Sequence, residues 1–416
     1  MRHVLIRLGL LLAAAACSTT LVRGQRGAAN EIVLGMSAAF TGSSGNLGYD
    51  LYRGAQAYFE EINSRGGVGG KRVRLLALDD GYDPARAIGN TIQLIDVEHV
   101  SLLFGYVGTP TVTRVLPLIR HYGARSPFLL FPFTGGQPHR TTPYSEYVYN
   151  LRASYLEETA GLVDNFVRAG ATRVAIFYQA DAYGRSGWDG VRRALDTHGL
   201  RIVAEATYSR GSPYASSMQA QVDALKAAQP DVIISIGAYA ACAAFIRDAV
   251  DSGLTVPIAN VSFVGSESML ELLRAEATKR GRDYSSVMVN SQVVPSYEDQ
   301  SLPSVREYRA LIEKRQPALP AGLLAPNANR SAINYVSFEG FLDAKLAVEA
   351  IKRTGGEVSR INLQKAFASF EHYDLGIDTE VTFAGGRTQG LNTVYYTRVE
   401  QGRFVPVDNW RRWAKK

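Results

Sequence analysis

One glycine-rich stretch has the residue types that could hold a phosphate group, GGVGGK at residues 66–71. A phosphate loop follows a strand and precedes a helix, so that its backbone N–H groups and the helix N-terminus face the phosphates. Here the order is reversed, because the stretch follows a helical pattern and precedes the apolar run VRLLALDD at 73–80. Arg72 also stands where a phosphate loop has Ser or Thr. The glycines therefore predict a helix end and a tight turn, where residues with positive φ cost least.

Groups that carry catalysis or bind metals are not spaced for either task. The six His residues form no H-E-x-x-H motif, and the chain has no C-x-x-C and no G-x-S-x-G elbow. Asp79 and Asp80 are adjacent at a strand end, so their side chains point to opposite faces and are expected to cap the next turn. Cys242 lies among small residues in YAACAAFIRDAV and is expected to pack as a small hydrophobe. We therefore expect no enzyme, no metal and no cofactor.

The bulk composition is that of a globular protein with two or three domains. The chain has 416 residues, of which 46% are hydrophobic and 20% charged. The net charge is +6, but no run of five like charges occurs, so nothing indicates a nucleic-acid partner. After residue 24 no apolar run reaches the roughly 18 residues that a membrane helix needs.

The first 24 residues are typical of a secretory signal. Two arginines precede the apolar run LGLLLAAAA at 8–16, which is too short to span a bilayer. Cleavage after VRG at 22–24 would give a plain signal peptide. The alternative is cleavage after residue 16, because AAAC resembles the bacterial lipobox with Cys17 as the lipidated residue, although Ala14 stands where Leu is preferred. Both alternatives predict export to the periplasm, the second with a membrane anchor at Cys17.

Strand-like and helix-like segments alternate along the rest of the chain. The strand-like runs are IVLGMSAAFTG, VRLLALDDG, SLLFGYVGT, FLLFPFTGG, RVAIFYQAD, DVIISIGAY and PIANVSFVG. Between them, Leu51, Ala55, Phe59 and Ile62 show the helical spacing of one apolar face. Continuous apolar strands that alternate with helices predict α/β architecture with parallel sheets covered on both faces.

This rhythm occurs twice. It breaks near Tyr147–Tyr155, returns at Val287–Pro295, and has a third candidate crossing at His372–Glu380. The pattern predicts two doubly wound parallel-sheet lobes joined by a multi-strand hinge. Ligands of open α/β sheets bind outside the carboxyl ends of the strands, so the loops that follow the strands should border one cleft.

A family resemblance covers nearly all of the chain after the signal. EEINSRGGVGGKRVRLLALDDGYDPARA at 60–87 resembles the signature of periplasmic solute-binding proteins of the leucine/isoleucine/valine-binding type. Further matches follow in the expected order: GMSAAFTGSSGNLG, FGYVGTPTV, FPFTGG, VAIFYQADAYGRSG and PDVIISIGAYA. The resemblance implies the type I periplasmic-binding fold and delivery of a solute to the membrane subunits of an ABC importer. It also implies a monomer, with one lobe at 31–149 plus 292–374 and the other at 150–291 plus 375–416.

The resemblance implies which loops hold the carboxylate of the ligand. By motif the positions are Gly108, Thr109, Phe133, Thr134 and Gly135. Loop N–H groups and hydroxyls that point into a cleft can bind an anion without a buried cation. The alternatives are that Thr109 caps a helix starting near Thr111, and that Thr134 and Gly135 only shape a loop.

In the second lobe the resemblance assigns two tyrosines to the body of the ligand. Tyr183 of DAYG and Tyr239 of GAYA match aromatic residues that close over it. A tyrosine at a cleft rim offers apolar area and a hydroxyl, although either could be a scaffold residue. Asp181 is expected to cap the following helix, because Asp is a strong N-cap.

Departures from the family pattern bear on the ligand. Ser262 stands where amino-acid binders place an acidic residue for the α-ammonium, and a buried ammonium without a counter-charge is costly. Leu47 replaces a frequent Tyr, and Phe133 enlarges an apolar loop surface. We therefore expect a small carboxylate, an amide or a more apolar solute. Amino acids stay possible if Glu267 or Glu339 pairs with the ammonium.

Two functions are compatible with these features. The first is an extracytoplasmic binding protein that captures a small solute between its lobes and delivers it to an ABC importer. The alternative is a sensor or co-receptor of the same fold that reports a solute to a signalling partner. In both cases a solute that contacts both lobes would favour the closed state.

Overall fold

A computed structural model describes residues 30–319, 323 and 331–413. The signal segment, Cys17 and both candidate cleavage sites lie outside the described residues.

The first sheet has five parallel strands in the order β2-β1-β3-β4-β5. Its strands are β1 (Glu31–Ala38), β2 (Arg72–Asp79), β3 (Leu102–Phe104), β4 (Leu129–Leu130) and β5 (Val148–Tyr149). The helices between them are α1 (Gly45–Ser64), α2 (Pro84–Ile92) and α3 (Thr109–Tyr122). Buried apolar residues line these strands, as expected for a sheet covered on both faces.

The second sheet has seven strands in the order β14-β13-β10-β9-β8-β6-β7. Its parallel strands are β6 (Val174–Gln179), β7 (Ile202–Tyr208), β8 (Val232–Ile236), β9 (Ile258–Asn260) and β10 (Met288–Gln292). The associated helices are α4 (Tyr155–Arg168), α5 (Ala182–Thr197), α6 (Gln219–Ala227), α7 (Tyr239–Asp251) and α8 (Ser266–Arg280). An antiparallel hairpin of β13 (Tyr395–Glu400) and β14 (Arg403–Pro406) extends the sheet beyond β10. The prediction of two α/β lobes built on parallel sheets is confirmed, with this hairpin as an antiparallel addition.

Three further helices lie between β10 and the β13–β14 hairpin in the chain. They are α9 (Pro303–Arg315), α10 (Tyr335–Arg353) and α11 (Arg360–Ala368). Helix α10 packs closely along α1, because Gly54 and Gly340 let the two backbones approach. A Cβ at Gly54 would lie 1.7 Å from the carbonyl oxygen of Ser337, and one at Gly340 would lie 2.2 Å from that of Leu51. These contacts place α10 on the first lobe.

The glycine-rich stretch at 66–71 is a turn. Helix α1 ends at Ser64, β2 begins at Arg72, and the glycines between them have positive φ. A Cβ at Gly67 would lie 2.0 Å from the carbonyl oxygen of Lys71, so a side chain does not fit there. The predicted helix end and tight turn are confirmed.

The last crossing between the lobes lies later than expected. The segment expected to cross, 372–380, contains β11 (Tyr373–Asp374), which pairs with β12 (Glu380–Val381) in a small hairpin. Phe383 then still packs on the first lobe, with its ring centroid 5.7 Å from Tyr149. The chain crosses beside the first connection, where the N–H of Leu391 donates to the carbonyl of Leu151 at 2.9 Å. Aromatic packing holds the hairpin on the first lobe, and the remaining lobe boundaries stay a prediction.

Candidate ligand-binding cleft

Two loops of the first lobe bring the predicted threonines together. Helix α3 begins at Thr109 itself, after Gly108 as its N-cap, and the side chain of Thr109 makes no cap. Its Oγ1 lies instead 2.7 Å from Oγ1 of Thr134, which follows β4. Both threonines are fully buried. The hydroxyl pair therefore lies buried between the two loops, and the capping role considered for Thr109 is wrong.

The glycines of these loops make room for two tyrosines. Gly108 has a φ of +103°, and a Cβ there would lie 2.1 Å from Cε2 of Tyr82. A Cβ at Gly135 would lie 2.6 Å from Cδ1 of Tyr155. Both predicted glycines thus allow aromatic rings to pack directly against the loop backbone.

Tyr155 is a cleft residue that the sequence patterns did not single out. It opens α4 after Ser154, whose side chain forms a capping box with Glu157. Its N–H donates to the carbonyl of Gly135 at 2.8 Å, which fixes the ring beside the loop. Its hydroxyl is buried beside Thr109 without a hydrogen bond of ordinary geometry. Burial raises the pKa of this phenol, so the group is a neutral hydroxyl with an unused donor.

Aromatic rings from both lobes meet next to these hydroxyls. The ring of Phe263, which follows β9, lies 5.3 Å from Phe133, 4.7 Å from Tyr183 and 6.0 Å from Tyr82. The Tyr183 ring is in turn 5.2 Å from Tyr155. These five residues are called the aromatic cluster below. The cluster therefore gives the junction of the lobes an aromatic, largely apolar surface.

Tyr183 also has a scaffold role. Its hydroxyl donates to the carbonyl of Gly237 at 3.3 Å, within the second lobe. Asp181 caps α5 as predicted, because its side chain accepts from the N–H of Tyr183 at 3.0 Å. The contact of Tyr183 with a ligand stays a prediction.

Leu47 and Tyr239 lie where the two lobes touch. The N–H of Asn46 donates to the hydroxyl of Tyr239, the first residue of α7, at 3.4 Å. Leu47 packs against the second lobe so closely that a Cβ on Gly265 would lie 2.7 Å from its Cδ2. Both predicted positions therefore border the cleft, and their contact with a ligand stays a prediction.

Ser262 is itself uncharged, as the sequence indicated, but it lies against a buried carboxylate from another element. Its N–H and its hydroxyl donate to the carboxylate of Glu158 at 2.8 and 3.0 Å. Ser291 donates to the same carboxylate at 2.6 Å. The acidic group at this place is therefore Glu158, which lies on α4 four residues after the capping Ser154. The sequence did not predict it, because no local motif marks this residue.

A buried arginine joins this acid to the first lobe. Arg152 donates to the hydroxyl of Ser262, lies 3.5 Å from Glu158 and lies 3.4 Å from Glu339 on α10. Its Cζ lies 4.7 Å from the ring centroid of Phe133. Burial raises the pKa of Glu339 to about 7, against the opposing effect of Arg152. The guanidinium therefore balances carboxyl groups of both lobes directly beneath the aromatic cluster.

Glu267, the other candidate partner of an ammonium, lies in a separate cavity. Its carboxylate accepts from the N–H of Tyr335 at 3.3 Å, and Tyr297 and Arg309 line the same cavity. Burial raises its pKa to about 7. It therefore does not join the hydroxyl pair and the aromatic cluster.

The sequence comparison assigns the chain to a family. Residues 31–403 match the sequence profile of the periplasmic binding proteins. The chain belongs to the periplasmic binding protein family. The resemblance to leucine/isoleucine/valine-binding proteins and their type I fold is thereby confirmed. Members of the periplasmic binding protein family are extracytoplasmic solute-binding proteins and not enzymes.

Relatives of this periplasmic binding protein match it over different lengths. An amino acid binding protein from Pseudomonas aeruginosa is 24% identical over 228 residues, which covers 54% of this chain and 59% of that relative. Leu/Ile/Val-binding protein homolog 7 from Brucella suis biovar 1 is 24% identical over 351 residues, covering 81% of this chain and 80% of the homolog. The crystal structure of a possible leucine/isoleucine/valine-binding protein from Rhodopirellula baltica SH 1 has a TM-score of 0.79 at 29% identity, covering 93% of this chain and 98% of that one.

Other site types find no support in the part of the chain that the structure describes. No group of three or more His, Cys, Asp or Glu residues is arranged there to hold a metal ion. Within the same residues, none of the helices is both long and apolar enough to cross a membrane. Cys242 is buried at 3.3 Å from the hydroxyl of Ser235, and burial raises the pKa of its thiol to about 12. The thiol therefore packs as a small hydrophobe, as the sequence predicted.

Proposed function

We propose that this periplasmic binding protein captures a small carboxylate-bearing solute between its lobes and delivers it to an ABC importer. The observation that carries the proposal is the convergence of Thr109, Thr134 and Tyr155 at the buried junction of the lobes. A buried hydroxyl without a partner is costly, and an anion that accepts from it recovers that cost.

The body of the solute would occupy the place where the aromatic cluster now packs upon itself. The rings of Tyr82 and Phe133 come from the first lobe, and those of Tyr183 and Phe263 from the second. A solute inserted between them would contact both lobes. Only such a solute shifts the equilibrium towards the closed state, because it binds that state better than the open one.

The amino-acid-like class is supported by relatives. The Pseudomonas protein is described as amino acid binding, and the Brucella homolog as Leu/Ile/Val-binding. The signal-like first 24 residues support export of this chain to the periplasm, either as a soluble protein or as a protein anchored at Cys17. A sensor or co-receptor function uses the same cleft and differs only in the partner that recognises the closed lobes.

A thermal-shift screen of the purified exported protein tests solute binding. The panel contains amino acids, aliphatic and aromatic acids, their amides, and apolar solutes without a carboxyl group. A solute that binds only the folded state, at a hundred times its Kd, adds about 2.7 kcal/mol to the free energy of unfolding and raises the melting temperature. We expect the largest shifts from carboxylates. Equal shifts from an acid and its amide would contradict the carboxylate part, and no shift from any solute would contradict solute binding itself.

A further inference from the structure

We propose that Arg152 supplies the cation of the cleft, so that the ligand is a carboxylic acid without an α-ammonium group. This inference rests on the proposed function and narrows its ligand class. Arg152 acts as a residue that determines charge specificity, since it stands beside Ser262, where an ammonium would otherwise lie.

The position of the guanidinium excludes a second cation at Ser262. Arg152 donates to the Ser262 hydroxyl and is the ion-pair partner of Glu158, the acid that this serine binds. The N–H and hydroxyl of Ser262 and the hydroxyl of Ser291 already donate to Glu158. An ammonium bound at Ser262 would lie beside the positive charge of Arg152. The Glu158 carboxylate at the same place already has Arg152 as its ion-pair partner. Two positive charges that both contact Ser262 in a buried site would repel each other strongly.

The same guanidinium retains unused donors. Arg152 is 2% exposed, and its Nε and Nη1 have no hydrogen-bond partner among the described residues. Nη1 lies 3.4 Å from Glu339, which is an ion pair without a hydrogen bond. Each of these unused N–H groups can donate a charge-assisted hydrogen bond to a carboxylate oxygen.

The other groups that could bind a carboxylate lie close to Arg152. The Cζ of Arg152 lies over the Phe133 ring at 4.7 Å, and its charge acts on the neighbouring Tyr155 phenol. Tyr155 in turn lies beside the Thr109 and Thr134 hydroxyls. A carboxylate bound there would accept hydrogen bonds from uncharged hydroxyls and from one cation. The aromatic cluster would then surround the apolar remainder of the acid.

The competing arrangement uses the surplus of acidic groups around Arg152. Glu158, Glu339 and Asp343 are all buried near Arg152, and the charge of Arg140 also acts on Glu339. An ammonium could pair with Glu339 instead of approaching Ser262. The two arrangements predict opposite effects of adding an α-ammonium to the same acid.

Calorimetric titrations of the purified exported protein at pH 7 separate the two arrangements. The first probe set is 4-methylpentanoate, L-leucine and 4-methylpentanamide, which share one carbon skeleton. The second set is 3-phenylpropanoate, L-phenylalanine and 3-phenylpropanamide. We expect the acid to bind at least tenfold more tightly than the amino acid and the amide in at least one set. This comparison on the unaltered protein needs no variant to fold.

Variants then assign the preference to Arg152. The double variant Arg152→Gln with Glu158→Gln removes both members of the ion pair and leaves no uncompensated charge between them. We expect its preference for acid over amino acid to fall at least fivefold. Arg152→Lys is the matched control, because it keeps the positive charge but lacks the planar set of N–H donors; it should bind the acid more weakly and retain the preference over the amino acid.

The outcomes distinguish this inference from the proposed function. Tighter binding of L-leucine or L-phenylalanine than of the matching acid would overturn the inference and leave solute binding intact. An unchanged acid preference in the folded double variant would also overturn it. If none of the six probes binds but a solute of another class raises the melting temperature in the screen, the inference that the ligand is a carboxylic acid is overturned and solute binding itself is not. Failure of the whole screen would contradict the proposed function.

Discussion

Asp80 is a carboxyl group whose surroundings favour the neutral acid. It is fully buried at the end of β2, where the hydroxyl of Ser37 and the N–H of Tyr82 donate to it, each at 2.8 Å. Burial raises its pKa to about 7, with the two hydrogen bonds and Arg86 opposing and the Asp79 charge adding to the shift. Tyr82, which donates to Asp80, belongs to the aromatic cluster. The protonation of Asp80 therefore affects the stability of the loop that positions this ring.

The raised pKa of Asp80 predicts a pH-dependent stability. A carboxyl group with a folded-state pKa above its unfolded value stabilises the fold fully below the unfolded pKa of 3.8, and this stabilisation is lost as the pH rises through about 7. Asp80→Asn mimics the neutral acid. We expect the free energy of unfolding of this variant, relative to the unaltered protein, to increase from pH 5 to pH 8, by about 3 kcal/mol at most. Denaturant titrations at the two pH values measure the difference.

Asp79→Asn is the matched control for this prediction. Asp79 accepts from the N–H and hydroxyl of Thr41 and from Arg86, and these hydrogen bonds lower its pKa. It is therefore ionised at both pH 5 and pH 8, and its replacement changes the titration of Asp80 only by removing one neighbouring charge, so the effect on stability should vary with pH much less than that of Asp80→Asn. A stability difference for Asp80→Asn that stays constant with pH would contradict the account of Asp80.

Single residues of the cleft were predictable where a motif marks them. Thr109, Thr134 and Tyr183 follow strands at the ends that face the cleft, and local order along the chain is enough to place them there. Arg152 and Glu158 could not be placed in this way, because their partners Ser262 and Glu339 lie more than a hundred residues away in the sequence. Their pairing depends on how the crossing segments stack, which no local spacing encodes.

At the scale of elements, the loop before α3 determines the shape of the first-lobe side of the cleft. Gly108 is the N-cap of α3 with a φ of +103°, and its missing side chain makes room for the Tyr82 ring. The same short loop therefore sets the start of the helix, the position of Thr109 and the packing of one member of the aromatic cluster.

Gly108→Ala is expected to destabilise the protein by both strain and collision. The left-handed backbone costs about 1–3 kcal/mol for a residue with a side chain, and the new Cβ would lie 2.1 Å from Cε2 of Tyr82. Gly170→Ala is the matched control, because Gly170 has a φ of +101° with nothing within 4 Å of the added Cβ. We expect Gly108→Ala to lower the melting temperature more than the control does. Equal shifts would show that the Tyr82 ring moves without cost.

The alternation of strands and helices was visible in the sequence, but two elements were not. The antiparallel β13–β14 hairpin and the small β11–β12 hairpin occupy the last part of the chain, where strand-like and turn-like residues mix without a helix between them. The third crossing was therefore placed too early. Tertiary contacts between aromatic rings hold this last part of the first lobe together. Tyr149 stacks on Phe367 at 3.7 Å, and Phe383, which follows β12, packs against the Phe367 ring.

For the whole molecule, the structure is a closed arrangement in which the lobes touch through few polar contacts. The hydroxyl of Ser43 donates to the carbonyl of Gly211 at 2.8 Å, and Asn46 donates to Ser268 at 3.4 Å. Such exposed or long hydrogen bonds stabilise an interface by little. The aromatic cluster adds apolar contact, and its Tyr82 hydroxyl accepts one long hydrogen bond from Gln179 of the second lobe at 3.4 Å. We therefore expect the lobes to separate readily without a solute and to close when a solute joins them.

Small-angle X-ray scattering of the purified protein tests the capture of a solute between two closing lobes most directly. It is recorded without solute and with a saturating amount of the acid that raises the melting temperature most. We predict a larger radius of gyration without the acid than the closed structure gives, and agreement with the closed structure when the acid is bound. An unchanged scattering profile, while calorimetry of the same sample shows the acid bound, would contradict the account.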